Sequence, residues 1–259
     1  MMNYTEKQTN TPTENCETKT RTAVEASLST FDPNFVSMIS QKLRTPLNSV
    51  HGFIDLLLKG HMGQLNEEQQ TYLGYTQEGV QQLISIVEDS LFIAHADVGQ
   101  FEIKQQRVDL YDIATSVITI MQPQAKKAEV ALILDVPKAT SHLYIDPQRM
   151  HQVLINLVSN AIKFTPPEGT VTIRSRQHDK YFDSISVIDT GLGISPADRA
   201  HIFERFYQSS RMRHSKIGGC GLGLTIAKLI VERHGGTIDY RSVPNQETTF
   251  SFTIPRYIA

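Results

Sequence analysis

The sequence predicts an α+β protein, in which a long two-helix hairpin is followed by an α/β sandwich with a mixed sheet. Between residues 35 and 96, apolar residues recur at alternating steps of three and four, which is the spacing of one helix face. From about residue 101, helical patterns alternate with short segments of period two, which is typical of strands that pack under helices. The 259 residues suffice for one large or two modest domains.

Composition excludes several classes of protein. The net charge of −2 gives no global basic field for nucleic acid or an anionic membrane. No apolar run is long enough to span a bilayer, and the N-terminus lacks the apolar core of a signal peptide. The two cysteines, Cys16 and Cys220, provide no framework for disulfides or zinc. We therefore expect a cytoplasmic protein without a membrane span or a nucleic-acid partner.

The chain divides into three predicted regions. Residues 1–30 are polar and threonine-rich, and they cannot bury enough apolar surface to offset the entropy of ordering, so we expect a disordered tail. Residues 31–100 form the helical hairpin. Residues 101–259 form the α/β domain.

The hairpin is predicted from two apolar stripes. In the first helix, 35–58, a heptad seam runs through Val36, Ile39, Leu43, Val50 and Leu57, and Pro46 should bend the helix rather than end it. After a turn at 60–63, a second helix is predicted over 66–96. Two such helices alone would leave much of the stripe in water, so pairing with a second copy in a four-helix bundle is expected.

The second domain is predicted to alternate helices and strands. Helices are expected at 108–127, 147–163 and 222–234, the last closed by Gly235 and Gly236. Strands are expected at 131–136, 142–145, 170–176, 184–189, 237–241 and 248–254.

The helix at 147–163 carries an unusual polar face. Asp146 is its predicted N-cap, and its buried stripe is predicted to be Met150, Val153, Leu154, Leu157, Val158 and Ala161. Gln152, Asn156, Asn160 and Lys163 follow at helical spacing on another face. Asparagine is a poor helix former, whereas its amide oxygen suits Mg²⁺ and a nearby lysine suits phosphate. The alternative is a solvated polar face.

Two glycine clusters bracket a positively charged loop between residues 189 and 224. Glycine lets backbone approach a ligand closely, and the N–H groups that open a helix favour anions, so the segment is predicted to hold a polyphosphate. Asp189 ends a strand, where its carboxylate could accept a hydrogen bond from an exocyclic amine such as that of adenine. The alternative for Asp189 is an Asx-type turn.

These segments together resemble the GHKL (Bergerat, HATPase_c) ATP-binding domain of sensor histidine kinases. DPQRMHQVLINLVSNAIKF resembles the N box, DTGLGI the G1 box, IFERFYQ the F box and GGCGLGL the G2 box, while FVSMISQKLRTPLNSVHGFIDLLL resembles the first helix of the HisKA dimerisation hairpin. The resemblance implies Mg²⁺-bound ATP, with Asn160 as main metal ligand, Asn156 in support, Asp189 on adenine, and Lys163 and the glycine loop on the phosphates. It extends the ATP site to Gly191, Gly193, Ile194, Tyr207, Lys216, Gly219, Gly221, Leu222, Gly223, Leu224 and Thr248.

The sequence departs from this family at the phosphoacceptor. The family motif SHELRTPL reads SQKLRTPL here, so Gln41 replaces the nucleophilic histidine and Lys42 replaces the acid that assists proton removal. Thr45 is retained, at the position that in the family helps to place water during dephosphorylation of a response regulator. Two smaller departures are Cys220, which is either a redox-sensitive thiol or a small filler, and Glu247, which replaces a glycine before Thr248.

Three interpretations therefore remain open. The first is an enzyme of the ATP-dependent protein-histidine kinase class with a degenerate acceptor, forming homodimers or heterodimers and acting on a partner histidine or as a response-regulator phosphatase. The second is a non-enzymatic dimerising adaptor that titrates kinases or response regulators. The third is an ordinary histidine kinase in which Gln41 and Lys42 are introduced changes.

Overall fold

The computed structural model describes residues 33–99, 101–138, 142–209 and 220–257. The predicted tail at 1–30 lies outside the described residues. The chain splits into two compact units, the first ending at Phe101 and the second beginning at Glu102.

The first unit is the predicted helical hairpin. Helix α1 spans Pro33–Leu58 with Pro46 inside it, and α2 spans Glu67–Asp97. A capping box starts α2, because the Asn66 side chain accepts from Gln69 N at 2.7 Å and the Gln69 side chain accepts from Asn66 N at 3.0 Å. The prediction of two long helices is thus confirmed.

The hairpin leaves much of its apolar stripe exposed. Ile54 on α1 and Ile93 on α2 are buried, but Leu43 is 41% exposed, Val50 45% and Phe53 66%. Exposed apolar side chains that recur along one helix are typical of a surface that another molecule covers.

The second unit contains seven strands and three helices in its described part. The strands are β1 Gln106–Asp109, β2 Ala131–Asp135, β3 His142–Ile145, β4 Thr170–Gln177, β5 Phe182–Asp189, β6 Ile238–Val243 and β7 Glu247–Pro255. The helices are α3 Leu110–Lys127, α4 Pro147–Phe164 and α5 Gly223–Arg233.

One predicted boundary is wrong. The helix expected at 108–127 begins at Leu110, because Gln106–Asp109 forms a strand that pairs antiparallel with β3. Asp109 is the residue at which the chain changes direction, since its side chain accepts from Tyr111 N at 2.9 Å and caps α3.

The main sheet has five strands in the order β2-β4-β5-β7-β6. Strands β2 and β4 are parallel and the other neighbours are antiparallel, which confirms the predicted mixed sheet. Helix α4 packs against α3, α5 and β5. Its predicted stripe is buried, and Ile162 joins it. Along β5, every second residue is buried, and the last of these is Asp189.

Among the helices of the described residues, none combines the length and the hydrophobicity that crossing a bilayer requires.

Candidate functional site

Helix α4 presents the polar face that the sequence predicts. Asp146 caps it by accepting from Gln148 N at 3.0 Å and Arg149 N at 3.1 Å, and Pro147 occupies the first turn. Because the opposite side of the helix is fully buried, the half-buried polar side is held in a fixed direction. Its members are Gln152, Asn156, Asn160 and Lys163.

Asn156 and Lys163 bring this face together with the second glycine cluster. The Nδ2 of Asn156 donates to the carbonyl of Gly223 at 3.0 Å, across 67 positions of sequence. Burial lowers the pKa of Lys163, and an electrostatic interaction with Cys220 of the second glycine cluster opposes that effect.

Asp189 is a buried carboxylate at the end of β5. It is 4% exposed, and its Oδ1 accepts from Gly191 N at 3.0 Å. Burial raises the pKa of Asp189 to about 6, hydrogen bonds from the backbone of Gly191 and Thr248 oppose the rise, and the charge of Glu247 adds to it. Asp189 therefore forms the Asx-type turn that is its alternative interpretation, and its carboxylate lies in a buried environment.

Thr248 lies beside Asp189, because the two residues are directly paired between β5 and β7. Thr248 is buried, and its hydroxyl lies 3.1 Å from the Ser242 hydroxyl on β6. The Ser242 hydroxyl in turn accepts from Ile194 N at 2.8 Å. These contacts join the segment after Asp189 to the β6–β7 hairpin.

Two glycines of this segment are required by close approaches. A Cβ on Gly191 would lie 2.6 Å from both Asp189 Oδ1 and the carbonyl oxygen of Phe164. Gly193 has a φ of +61°, and a Cβ there would lie 2.3 Å from the carbonyl oxygen of Val243. The first glycine cluster is thus wedged between the C-terminus of α4 and the β6–β7 turn.

In the described part of the second glycine cluster, Gly221 packs against Phe206 and Tyr207. Gly221 has a φ of +73°, and a Cβ there would lie 2.5 Å from the carbonyl oxygen of Tyr207. Leu222 is fully buried and Leu224 half-buried, which fixes the start of α5. Tyr207 is a predicted ATP contact, and its hydroxyl donates to Asp198 Oδ1 at 2.7 Å.

Lys216 and Gly219, the other two predicted ATP contacts, lie outside the described residues. Among the other predicted nucleotide residues, Asn156 contacts Gly223 in the second glycine cluster. Asp189 contacts Gly191 in the first cluster and pairs with Thr248 on β7. The start of α5 lies in the second glycine cluster. In the described part of the chain, no side-chain hydrogen bond caps that helix at Leu222. Its first N–H groups are suited to bind an anion.

Two family models match the chain. Residues 34–99 match the His Kinase A (phospho-acceptor) domain, and residues 145–258 match the Histidine kinase-, DNA gyrase B-, and HSP90-like ATPase. The chain belongs to the histidine kinase family.

Relatives within the histidine kinase family support this assignment. The chain is 35% identical over 224 residues to the circadian input-output histidine kinase CikA of Synechococcus elongatus, covering 85% of this chain and 29% of CikA. It is 32% identical over 222 residues to the sensor histidine kinase WalK of Bacillus subtilis, covering 85% of this chain and 36% of WalK. The chain thus spans about a third of the length of these curated relatives.

A solved structure of similar fold carries a nucleotide analogue. The crystal structure of full-length ShkA in complex with AMPPNP matches with a TM-score of 0.73 and 30% identity, covering 88% of this chain and 47% of that chain. Together with the ATPase family match, this similarity supports nucleotide binding by the second unit of the chain.

The donor atoms of α4 fit a magnesium ion that is also held by phosphates. Among the described residues, no group of three or more His, Cys, Asp or Glu side chains could hold a metal by itself. Because its Nδ2 donates to Gly223, Asn156 keeps its Oδ1 for another partner. Asn160 lies one turn further along the same half-buried face of α4 and carries a second amide oxygen. Few protein ligands suit Mg²⁺, which commonly keeps water and phosphate oxygens as its other ligands.

The residues around position 41 lie on the exposed side of α1. Gln41, Lys42, Thr45 and Asn48 are all exposed. The Thr45 hydroxyl donates to the carbonyl oxygen of Gln41 at 3.0 Å, so its proton is directed at the helix backbone. Towards a ligand, the Thr45 hydroxyl can therefore act only as a hydrogen-bond acceptor.

Sequence reasoning missed how Tyr207 is held. Asp198 is 8% exposed, and it accepts from the Tyr207 hydroxyl on one oxygen and from the Ser195 hydroxyl at 2.6 Å on the other. The Ser195 hydroxyl also accepts from Asp198 N at 3.2 Å. Serine followed three residues later by an acidic residue is a capping-box pattern, and that signal could have found this pair.

Proposed function

We propose that this chain is a two-component signalling protein that binds Mg-ATP and cannot autophosphorylate at its own Gln41. It acts on a histidine of a partner or as a response-regulator phosphatase. The observation that supports this most is the set of contacts that joins Asn156 to Gly223 and the end of α4 to Gly191, within the region matched by the ATPase family.

In this proposal, each part of the site has a separate task. The second carboxylate oxygen of Asp189, with Thr248 beside it, receives the exocyclic amine of adenine. Lys163, the glycine loop and the N-terminus of α5 receive the phosphates. Gly191, Gly193 and Ile194 line the base, and Tyr207, Leu222 and Leu224 complete the nucleotide site.

Asn160, supported by Asn156, would hold magnesium against the phosphate oxygens. When bound, the ion supplies positive charge that neutralises the phosphates and fixes their orientation. The residues of the chain itself bind the base, orient the phosphate chain and exclude water from the buried carboxylate of Asp189.

The proposed defect lies in the nucleophile. In phosphorylation of a histidine, an imidazole nitrogen bonds to the γ-phosphorus, the bond from that phosphorus to the bridging oxygen breaks, ADP leaves, and a base takes the imidazole proton. The side-chain nitrogen of Gln41 has its lone pair delocalised into the amide, and Lys42 replaces the acid that in the similar family motif assists proton removal. The acceptor would therefore be a histidine on another chain.

The exposed apolar stripe of the hairpin supports pairing with a second helical hairpin. Leu43, Val50 and Phe53 would be covered in a four-helix bundle formed with a second copy or with another histidine kinase. A heterodimer would supply the acceptor histidine that this chain lacks.

A phosphatase role is the second form of the proposal. A water that attacks an aspartyl phosphate could donate to Thr45 Oγ1 and to the side-chain oxygen of Gln41, one helical turn apart. The bond between phosphorus and the aspartyl oxygen of the response regulator would break, and inorganic phosphate would leave while the aspartate carboxylate is restored. This step needs no phosphohistidine on the chain.

The experiment that tests the proposal uses ATP labelled in the γ-phosphate. The unchanged protein and a Gln41→His, Lys42→Glu variant are incubated with it separately, and protein-bound label is counted. Label on the variant only is expected, because an intact ATP site then meets a competent acceptor. Label on neither protein would favour the non-enzymatic adaptor. Label on the unchanged protein would contradict the proposal that it cannot autophosphorylate.

A second arm tests the third interpretation and the phosphatase role. If Gln41 and Lys42 are introduced changes in an ordinary kinase, the double variant should pass its label to a response regulator as well. If the phosphatase role is right, the unchanged protein should release phosphate from a labelled regulator, and Thr45→Ala should slow that release.

A further inference from the structure

The start of α5 is held from two sides by side-chain hydrogen bonds. The carbonyl of Gly223, the first residue of the helix, accepts from Asn156 Nδ2 at 3.0 Å. The hydroxyl of Thr225, in the same turn, donates to the carbonyl of Phe203 at 2.9 Å. Three segments distant in sequence therefore meet at one helical turn.

This turn has a specific need to be held. No side-chain hydrogen bond caps α5 within the described residues, and its first turn contains no acidic residue. The first N–H groups of a helix lack partners within the helix, so an uncapped start tends to fray unless other contacts fix it. An anion can bind these groups well only if they already point in one direction.

We propose that Asn156 is a positioning residue whose side-chain N–H, acting with the Thr225 hydroxyl, holds the first turn of α5 in the orientation that receives phosphate oxygens. The inference rests on the proposed function, since it concerns the same nucleotide site. It assigns Asn156 a task that needs no metal ion.

The geometry separates this task from that of a metal ligand. A ligand for Mg²⁺ needs only the side-chain oxygen of Asn156, whereas the bond to Gly223 uses its nitrogen. Gly223 leaves room for the contact, because even a Cβ at that residue would lie 3.5 Å from Asn156 Cγ. The two atoms of one amide can thus serve the helix and the ion separately.

The first measurement needs no nucleotide. Hydrogen exchange of the amides at 222–230 is followed in the unliganded full chain for the unchanged protein, Asn156→Ala and Thr225→Val. Both variants should exchange faster there, by about threefold or more, because each loses one of the two bonds that hold the turn. Gln152→Ala is the matched control, because Gln152 lies one turn earlier on α4 and accepts from Arg149 instead.

The second measurement is the affinity for ADP in the presence of a chelator that removes magnesium. Asn156→Ala and Thr225→Val should each weaken binding by about 3- to 10-fold, which is the range expected for one hydrogen bond. Since both act through the same helical turn, the double variant should lose clearly less than the product of the two single losses. Thr225→Val preserves side-chain volume and keeps the test valid if Asn156→Ala folds poorly.

Two results would overturn the inference. One is unchanged exchange at 222–230 in Asn156→Ala. The other is an ADP affinity of Asn156→Ala that equals that of the unchanged protein without magnesium and is lower only when magnesium is present. That result would make Asn156 a metal ligand alone. If the unchanged protein bound neither ADP nor Mg-ATP, the proposed function itself would be lost.

Discussion

Replacing Asp189 by asparagine is expected to stabilise the unliganded protein at neutral pH. Burial raises the pKa of Asp189 from its ordinary value of 3.8 to about 6. Since a tenfold change in an ionisation equilibrium corresponds to about 1.4 kcal/mol, the ionised carboxylate costs about 3 kcal/mol of folding free energy above pH 6 or so. Asparagine removes the charge and keeps an oxygen that can accept from Gly191 N.

The sign of the pH dependence follows from the direction of the pKa. A carboxyl whose pKa is raised on folding favours the folded state below its unfolded pKa of 3.8, and this stability is lost as the pH rises through about 6. The Asp189→Asn variant lacks this loss. The free energy of unfolding should therefore be higher in the variant by about 1–3 kcal/mol near pH 7.5, and the difference should shrink towards zero near pH 4.

The assay is hydrogen exchange of β5 and β7 in increasing urea, from about pH 4 to pH 8. Exchange in these strands reports on the second unit without interference from the hairpin. A difference between the two proteins that stays constant with pH, or a variant that is less stable than the unchanged protein at neutral pH, would refute the reasoning.

Three further predictions concern other parts of the site. Gly191→Ala should destabilise the second unit by about 2–4 kcal/mol in urea unfolding, because its Cβ would lie 2.6 Å from the carbonyl oxygen of Phe164. An effect below about 0.5 kcal/mol would argue against that contact. Burial lowers the pKa of His234, whose Nε2 accepts from Asp146 N at 3.0 Å, so the stability that neutral His234 gives the folded state is present above about pH 6.5 and is lost as the pH falls. His234→Gln should therefore reduce the loss of stability between about pH 7 and 5. An unchanged dependence of stability on pH would contradict this. Tyr207→Phe should cost about 1.5–3 kcal/mol in thermal or urea unfolding, since its hydroxyl donates to a buried carboxylate, and a neutral result would mean that this bond contributes little.

Local patterns in the sequence predict most of the fold. The helical spacing of the buried stripe gives α4, and Asp146 before Pro147 gives its start. The alternation of Phe250, Phe252 and Ile254 gives the buried face of β7. These signals come from neighbouring residues, and each needs only the local period of a helix or strand.

The part that sequence reasoning missed depends on distant contacts. Strand β1 has four residues, and its partner β3 lies more than thirty positions later, so the segment before Leu110 has no local period that separates strand from helix. The bond between Asp146 N and His234, 88 positions apart, likewise has no local signal.

The same division applies to the site. Glycine spacing and the asparagines of α4 predict which residues belong to it, and their roles towards ATP and magnesium stay predictions. That Asn156 gives its nitrogen to Gly223, and that Tyr207 gives its hydroxyl to Asp198, depends on how separate segments meet. Side-chain direction at such meeting points follows from packing, which the sequence does not display.

The central claim is that the second unit binds Mg-ATP with Asp189 on the adenine, and calorimetric titration tests it most directly. Mg-ATP is titrated into the unchanged full chain and into Asp189→Asn at about pH 7.5. The account predicts a dissociation constant between about 1 μM and 1 mM for the unchanged protein and an affinity at least about tenfold lower for the variant. No binding by the unchanged protein, or equal binding by the two proteins, would contradict it.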